Sequence, residues 1–85
     1  MTANERLTDM GYENVVIFSS PGYDDALIGV TENNRAVYDF DKMVDCLVRD
    51  DGMSEEEAVE WIEYNAVRSL PYLGSAAPII MYPLP

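Results

Sequence analysis

Ala26-Leu27-Ile28-Gly29-Val30-Thr31-Glu32-Asn33-Asn34-Arg35-Ala36-Val37-Tyr38, followed at once by Asp39-Phe40-Asp41-Lys42-Met43-Val44-Asp45-Cys46-Leu47-Val48, is the stretch that decides the fold. Ala26 to Thr31 reads as a strand. Glu32-Asn33-Asn34 reads as its turn, because asparagine tolerates the left-handed backbone that tight hairpins demand. Arg35 to Tyr38 returns as the partner strand, with Ala36 and Tyr38 set to face Ile28 and Val30. The period then changes from two to 3.6. Asp39 can cap a helix in which Phe40, Met43, Val44, Leu47 and Val48 follow the i, i+3, i+4, i+7, i+8 spacing of one apolar face. Gly52 stands where a left-handed cap closes such a helix.

Working outward, Val15-Val16-Ile17-Phe18 is a β-branched and aromatic run that predicts another strand, broken by Ser19-Ser20-Pro21-Gly22. Residues 1–14 read as a polar lead-in with a helical turn ending at Gly11. Downstream, Ser54 and Glu57 form a capping box, and Met53 is placed to staple against Ala58. Glu55, Glu56 and Glu57 set negative charge at the positive end of the helix dipole. Ala58, Ile62, Ala66 and Leu70 mark the buried stripe of this second helix, which Pro71 is expected to end. Leu73-Gly74-Ser75 is a turn, and Pro78 to Tyr82 a last strand. The expected order is β-β-β-α-α-β. It predicts an α+β domain with a small, mostly antiparallel sheet and two helices packed on one face. All of residues 1–85 fall in one domain, with no repeat and no linker.

Composition narrows the function classes. The 85 residues are 48% apolar, enough for one modest core, and at this size a second copy of the chain or another protein would help cover apolar surface. A single cysteine, Cys46, rules out an internal disulfide and argues against a secreted scaffold. Met1 to Met10 has no apolar stretch of the signal-peptide kind, and Ala76 to Leu84 is too short and too proline-rich to span a bilayer, so a cytoplasmic protein is expected. A net charge of −11 argues against direct binding to nucleic acid or to anionic membranes.

Catalysis finds no foothold. With no histidine, the chain lacks the commonest general base and metal ligand, and Cys46 has no imidazole to activate it. Cys46 flanks the apolar stripe of the first helix and reads as a buried small hydrophobe. There is no glycine-rich phosphate loop. Asp24-Asp25 and Asp50-Asp51 do not match a calcium loop and read as turn and cap residues. Neither an enzyme nor a cofactor is expected.

The charge is unevenly placed. From Asp39 to Glu63 there are ten acidic residues and two basic ones; from Tyr64 to Pro85 the only charge is Arg68. Asp41 and Asp45 lie one turn apart on the first helix, as do Glu56 and Glu60 on the second, with Glu63 beside them. Such neighbours stand about 6 Å apart and repel by a few tenths of a kcal/mol, offset in part by Asp45 with Arg49. The row is either a solvated outer face or a surface presented to a positive partner. Tyr64, Asn65, Arg68 and Tyr72 gather tyrosine and arginine, the residue types of interface anchors and of stacking ligand sites, in an otherwise apolar stretch. The plainer reading sets Arg68 on the carbonyls of the last helical turn, with the tyrosines at the core rim.

Tyr23-Asp24-Asp25-Ala26-Leu27-Ile28-Gly29-Val30 resembles a segment of small proteins from bacteriophages and prophages of Gram-positive bacteria. So do Asp51-Gly52-Met53-Ser54-Glu55-Glu56-Glu57-Ala58-Val59-Glu60, continued through Glu63-Tyr64-Asn65, and the close in Leu70-Pro71-Tyr72-Leu73-Gly74 with Ala77-Pro78-Ile79-Ile80. The resemblance covers the chain from Tyr23 onward and carries no functional residues with it. It implies an accessory protein of the host cytoplasm that binds and blocks a host protein, as anti-restriction and anti-CRISPR factors do. The leading expectation is therefore a non-enzymatic binder of a basic host protein through Asp41, Asp45, Glu56, Glu60 and Glu63. The alternative is a dimeric binder of a nucleotide-like ligand through Tyr64, Asn65, Arg68 and Tyr72, and the third a structural or assembly subunit.

Overall fold

The hairpin forms around its own side chains. In the computed structural model, which describes residues 1–19 and 21–85, β1 (Leu27–Val30) pairs antiparallel with β2 (Ala36–Asp39). Thr31 closes the turn: its amide donates to the Arg35 carbonyl at 2.8 Å, and its hydroxyl accepts the Arg35 amide at 3.0 Å. Asn34 takes the left-handed conformation, with φ 66°. Val30 lies opposite Ala36 as the alternation predicts, but Tyr38 lies opposite Leu27 instead of Ile28. A bulge between Leu27 and Gly29 puts Ile28 out of register and leaves it 44% exposed, so that Leu27 and Tyr38 can both face inward.

β2 runs into α2 (Phe40–Asp51) with no intervening loop, since Asp39 is the last strand residue and also the cap, accepting the Lys42 amide at 3.1 Å. The helix buries Met43, Val44, Cys46 and Leu47 and stops at Gly52, whose φ of 67° favours glycine. Ser54 and Glu57 make the reciprocal capping box of α3 (Glu55–Trp61), and Met53 is half-buried against the core. Pro71 does not end this helix. The winding loosens first into a π turn over Ile62–Ala66, where the Val67 amide reaches back to the Ile62 carbonyl, and then tightens into a 3-10 segment over Val67–Ala76. Because the i→i−4 hydrogen-bond ladder has already given way to the π and 3-10 patterns before Pro71, proline's missing amide breaks no α-helical bond. Gly74, at φ 75°, turns the chain instead.

β3 (Ile79–Met81) then lies beside β2 in parallel, Tyr38 opposite Ile80, giving the sheet order β1-β2-β3. The sheet is thus mixed, where a mostly antiparallel one is expected. Parallel pairing needs a long crossover, and the helical path from α2 to Ala76 supplies it. α2 packs on β2, while α3 packs chiefly on α2, so the two helices do not share the sheet face equally.

One expectation about the N-terminal part is overturned and another is met in its helical part. Val15 to Phe18 forms no strand, for the run finds no backbone partner among the described residues. It is used for packing: Phe18 is buried, its ring 4.9 Å from Tyr38 and 5.8 Å from Tyr23, and its amide donates to the Tyr38 hydroxyl at 3.3 Å. The break expected at Ser19 to Gly22 includes Ser20, which lies outside the described residues. The helical turn expected within residues 1–14 is α1 (Ala3–Asp9), followed by Gly11 at φ 84°; capped by Thr2 and Glu5, it buries Ala3 and Leu7 and so packs on the core instead of leading in to it. Seven residues are too few for a helix to hold by itself. Asp24 anchors it, accepting the Ala3 amide at 2.7 Å through its carboxylate and the Arg6 guanidinium through its carbonyl. The core is one apolar cluster centred on Tyr38, Met43, Leu47 and Ile62. No helix among the described residues is long and apolar enough to cross a membrane.

Candidate functional site

Glu57, Glu60, Trp61, Tyr64 and Arg68 recur every three or four residues and so rise along one side of α3 and its π turn. With Met53, Glu63 and Asn65 they line an open, shallow groove. Inside the helix, Ala58, Ile62 and Ala66 hold this surface to the core. Trp61 is 41% exposed and stands between the groove and a smaller hollow lined by Phe18, Tyr23, Ala66 and Ser69. Burial pushes the Tyr23 hydroxyl up to about 12, with the Trp61 indole acting the other way.

Local chemistry explains how the polar members are held. The Asn65 side-chain amide donates to the Trp61 carbonyl at 2.9 Å, at the point where the π turn begins. Glu57 is shared between roles: its carboxylate accepts the Ser54 amide at 3.2 Å while its side chain also borders the groove. Arg68 lies over the Tyr64 ring, 5.0 Å from guanidinium carbon to ring centre, and forms no ion pair among the described residues. Tyr64 itself is 68% exposed.

The structure draws members of both expected residue sets into this one groove. Glu60 and Glu63 come from the acidic set, and Tyr64, Asn65 and Arg68 from the tyrosine–arginine set. Asp41, Asp45 and Glu56 are exposed but do not line it, and Tyr72, 90% exposed, stands apart from it. Trp61 is absent from both sets. Its signal is present in the sequence, since the only tryptophan falls one residue after Glu60 and three before Tyr64.

Three residues of the other acidic pairs, Asp24, Asp25 and Asp50, have structural work. Asp24 holds α1, and Asp25 and Asp50 both bind Arg49, at 2.9 and 2.8 Å. Arg49 therefore serves these two instead of Asp45, and the expected i, i+4 offset on α2 is not formed. The guanidinium holds the exposed Asp50 carboxyl below its ordinary value and is itself kept firmly protonated. Cys46 is buried, and desolvation pushes its thiol up, away from thiolate chemistry. Among the described residues no group of three or more Cys, Asp or Glu is arranged to hold a metal ion. Compared with protein-family models, with curated proteins and with solved structures, the chain finds no match.

Proposed function

We propose that the chain is a non-catalytic binding protein that docks a basic partner protein on the outer side of α3, in the manner of a phage accessory factor that occupies and blocks a host protein. The observation that carries this reading is the meeting of Glu57, Glu60 and Glu63 with the exposed rings of Trp61 and Tyr64 in one groove. Carboxylates raise the encounter rate with a positive surface, and large rings supply the area that holds it once docked. The net charge of −11 extends the attraction beyond the groove. The same carboxylates disfavour a phosphorylated ligand at Tyr64, Asn65 and Arg68. A nucleotide-like ligand is therefore the weaker reading.

The test is a tagged pull-down from a nuclease-treated bacterial lysate at low and moderate salt, comparing wild type with two charge reversals. A basic protein should be captured in stoichiometric amount and lost as salt rises. Glu60→Lys with Glu63→Lys should abolish capture, while Asp41→Lys with Asp45→Lys, off the groove, should weaken it only modestly. Equal capture by all three proteins overturns the proposal.

A further inference from the structure

Arg68 is the one charged residue after Glu63, and it stacks on the Tyr64 ring at 5.0 Å within a groove that also presents Glu60 and Glu63. A guanidinium thus already occupies the aromatic face that the proposed partner surface would use. From this we infer that the groove selects arginine side chains of the partner, and that Arg68 is an internal competitor for the Tyr64 face. The inference rests on the basic-partner reading and adds the ligand class and its regulation.

The chemistry favours arginine over lysine. A guanidinium is planar, weakly hydrated and able to lie flat on a ring while its N–H groups reach carboxylates at the ring's edge. An ammonium is a compact, strongly hydrated point charge that gains less from the ring. Arg68 meets only half of these needs: it has the ring but no carboxylate partner among the described residues. An incoming arginine that finds both Tyr64 and a glutamate therefore outcompetes it, and the freed Arg68 is left in solvent. Displacement lowers the apparent affinity by the fraction of time the internal contact is closed.

Trp61 is the chain's only tryptophan and borders the groove, so its fluorescence reads occupancy directly. Capped triarginine and trilysine peptides are titrated at low salt into wild type, Arg68→Gln, Tyr64→Leu and Lys42→Gln. Lys42 lies on α2 outside the groove, and its substitution gives the same change in net charge as Arg68→Gln. Triarginine should bind wild type about two- to fivefold more tightly than trilysine, the range of one exposed cation–ring contact. Arg68→Gln should tighten triarginine by a similar factor and exceed the effect of Lys42→Gln. Tyr64→Leu should erase the preference for arginine. If trilysine binds wild type as well as triarginine, or Lys42→Gln tightens triarginine as much as Arg68→Gln, this inference fails and the basic-partner reading stands. If neither peptide gives a saturable signal with any of the four proteins, both fail.

Discussion

Tyr38→Phe isolates a single hydroxyl that ties an irregular segment to the sheet. The Tyr38 ring is fully buried beside Phe18, and its oxygen accepts the Phe18 amide at 3.3 Å. The substitution keeps the ring and creates almost no cavity, so the change in stability comes from leaving a buried backbone donor without a partner. That penalty is about 1–3 kcal/mol. At 3.3 Å the bond is slightly longer than the usual N–H···O range, and the phenol's own desolvation is relieved, so the loss should fall near about 1–1.5 kcal/mol. For a chain of this length each kcal/mol moves the melting temperature by roughly 4–8 °C, which predicts a fall of about 4–12 °C. Tyr82→Phe is the matched control: Tyr82 stacks on Phe40 at 4.9 Å and is 57% exposed, and its hydroxyl has no hydrogen-bond partner among the described residues. Thermal melts followed by circular dichroism make the measurement. Equal melting temperatures for the two variants would refute the argument that Val15 to Phe18 is held by packing and one side-chain bond in place of a strand ladder.

Ser54→Ala removes one half of the capping box at the start of α3, where the hydroxyl accepts the Glu57 amide at 3.1 Å. The expected loss is about 1 kcal/mol, seen as a melting temperature lowered by roughly 4–8 °C, and Ser54→Asp should restore most of it. Alkaline pH should destabilise the fold. Burial raises Tyr23 to about 12 and raises Tyr38 and Cys46 above their ordinary values. Each group favours its neutral form when folded, so its contribution is intact below its unfolded pKa and is lost as pH rises toward the folded one. Melting temperatures measured from pH 8 upward should begin to fall near pH 9, and Tyr23→Phe should flatten the part of that slope between about pH 10 and 12.

What was legible in the sequence is what short-range chemistry decides. The Thr31 to Arg35 turn, the Asp39 and Ser54 caps, the Gly52 stop and the centre of the buried face of α2 (Met43, Val44 and Leu47, with Phe40 half-buried and Val48 exposed instead of buried) each depend on residues within a turn or two of one another. Val15 to Phe18 has the same strand-like composition as Ile79 to Met81, and only the second run finds a ladder partner. β propensity describes fitness for a half-buried surface, and both runs are used in that way; which one pairs is decided by the crossover. The bulge at Ile28 is invisible for a related reason, because it serves the inward placing of Leu27 and Tyr38 from different strands. α1 was more accessible. Thr2-Ala3-Asn4-Glu5 carries the same capping signature as Ser54 to Glu57, but a helix that buries only Ala3 and Leu7 makes little apolar periodicity, and its anchor at Asp24 is distant in the chain.

The candidate groove was legible as ingredients and not as a site. Counting charge singles out Glu60 and Glu63, and counting aromatic residues singles out Tyr64, but the two counts run along different stretches and divide what one helical face unites. The acid-free tail after Glu63 also mixes buried and exposed positions that composition cannot separate. Ala77 and Pro78 are buried and β3 is half-buried against β2, so a carboxylate there would be desolvated without a partner. That demand does not reach Arg68, which is exposed and lies on a helical face one turn beyond Tyr64. Packing therefore accounts for the absence of acids at Ala77 to Met81 alone, and it does not account for the one cation of the tail, at the place where it covers a ring beside the carboxylates. Placement of that kind is what a self-competing arginine site requires, and it is why the position of Arg68, more than the total charge, carries the reading of this surface.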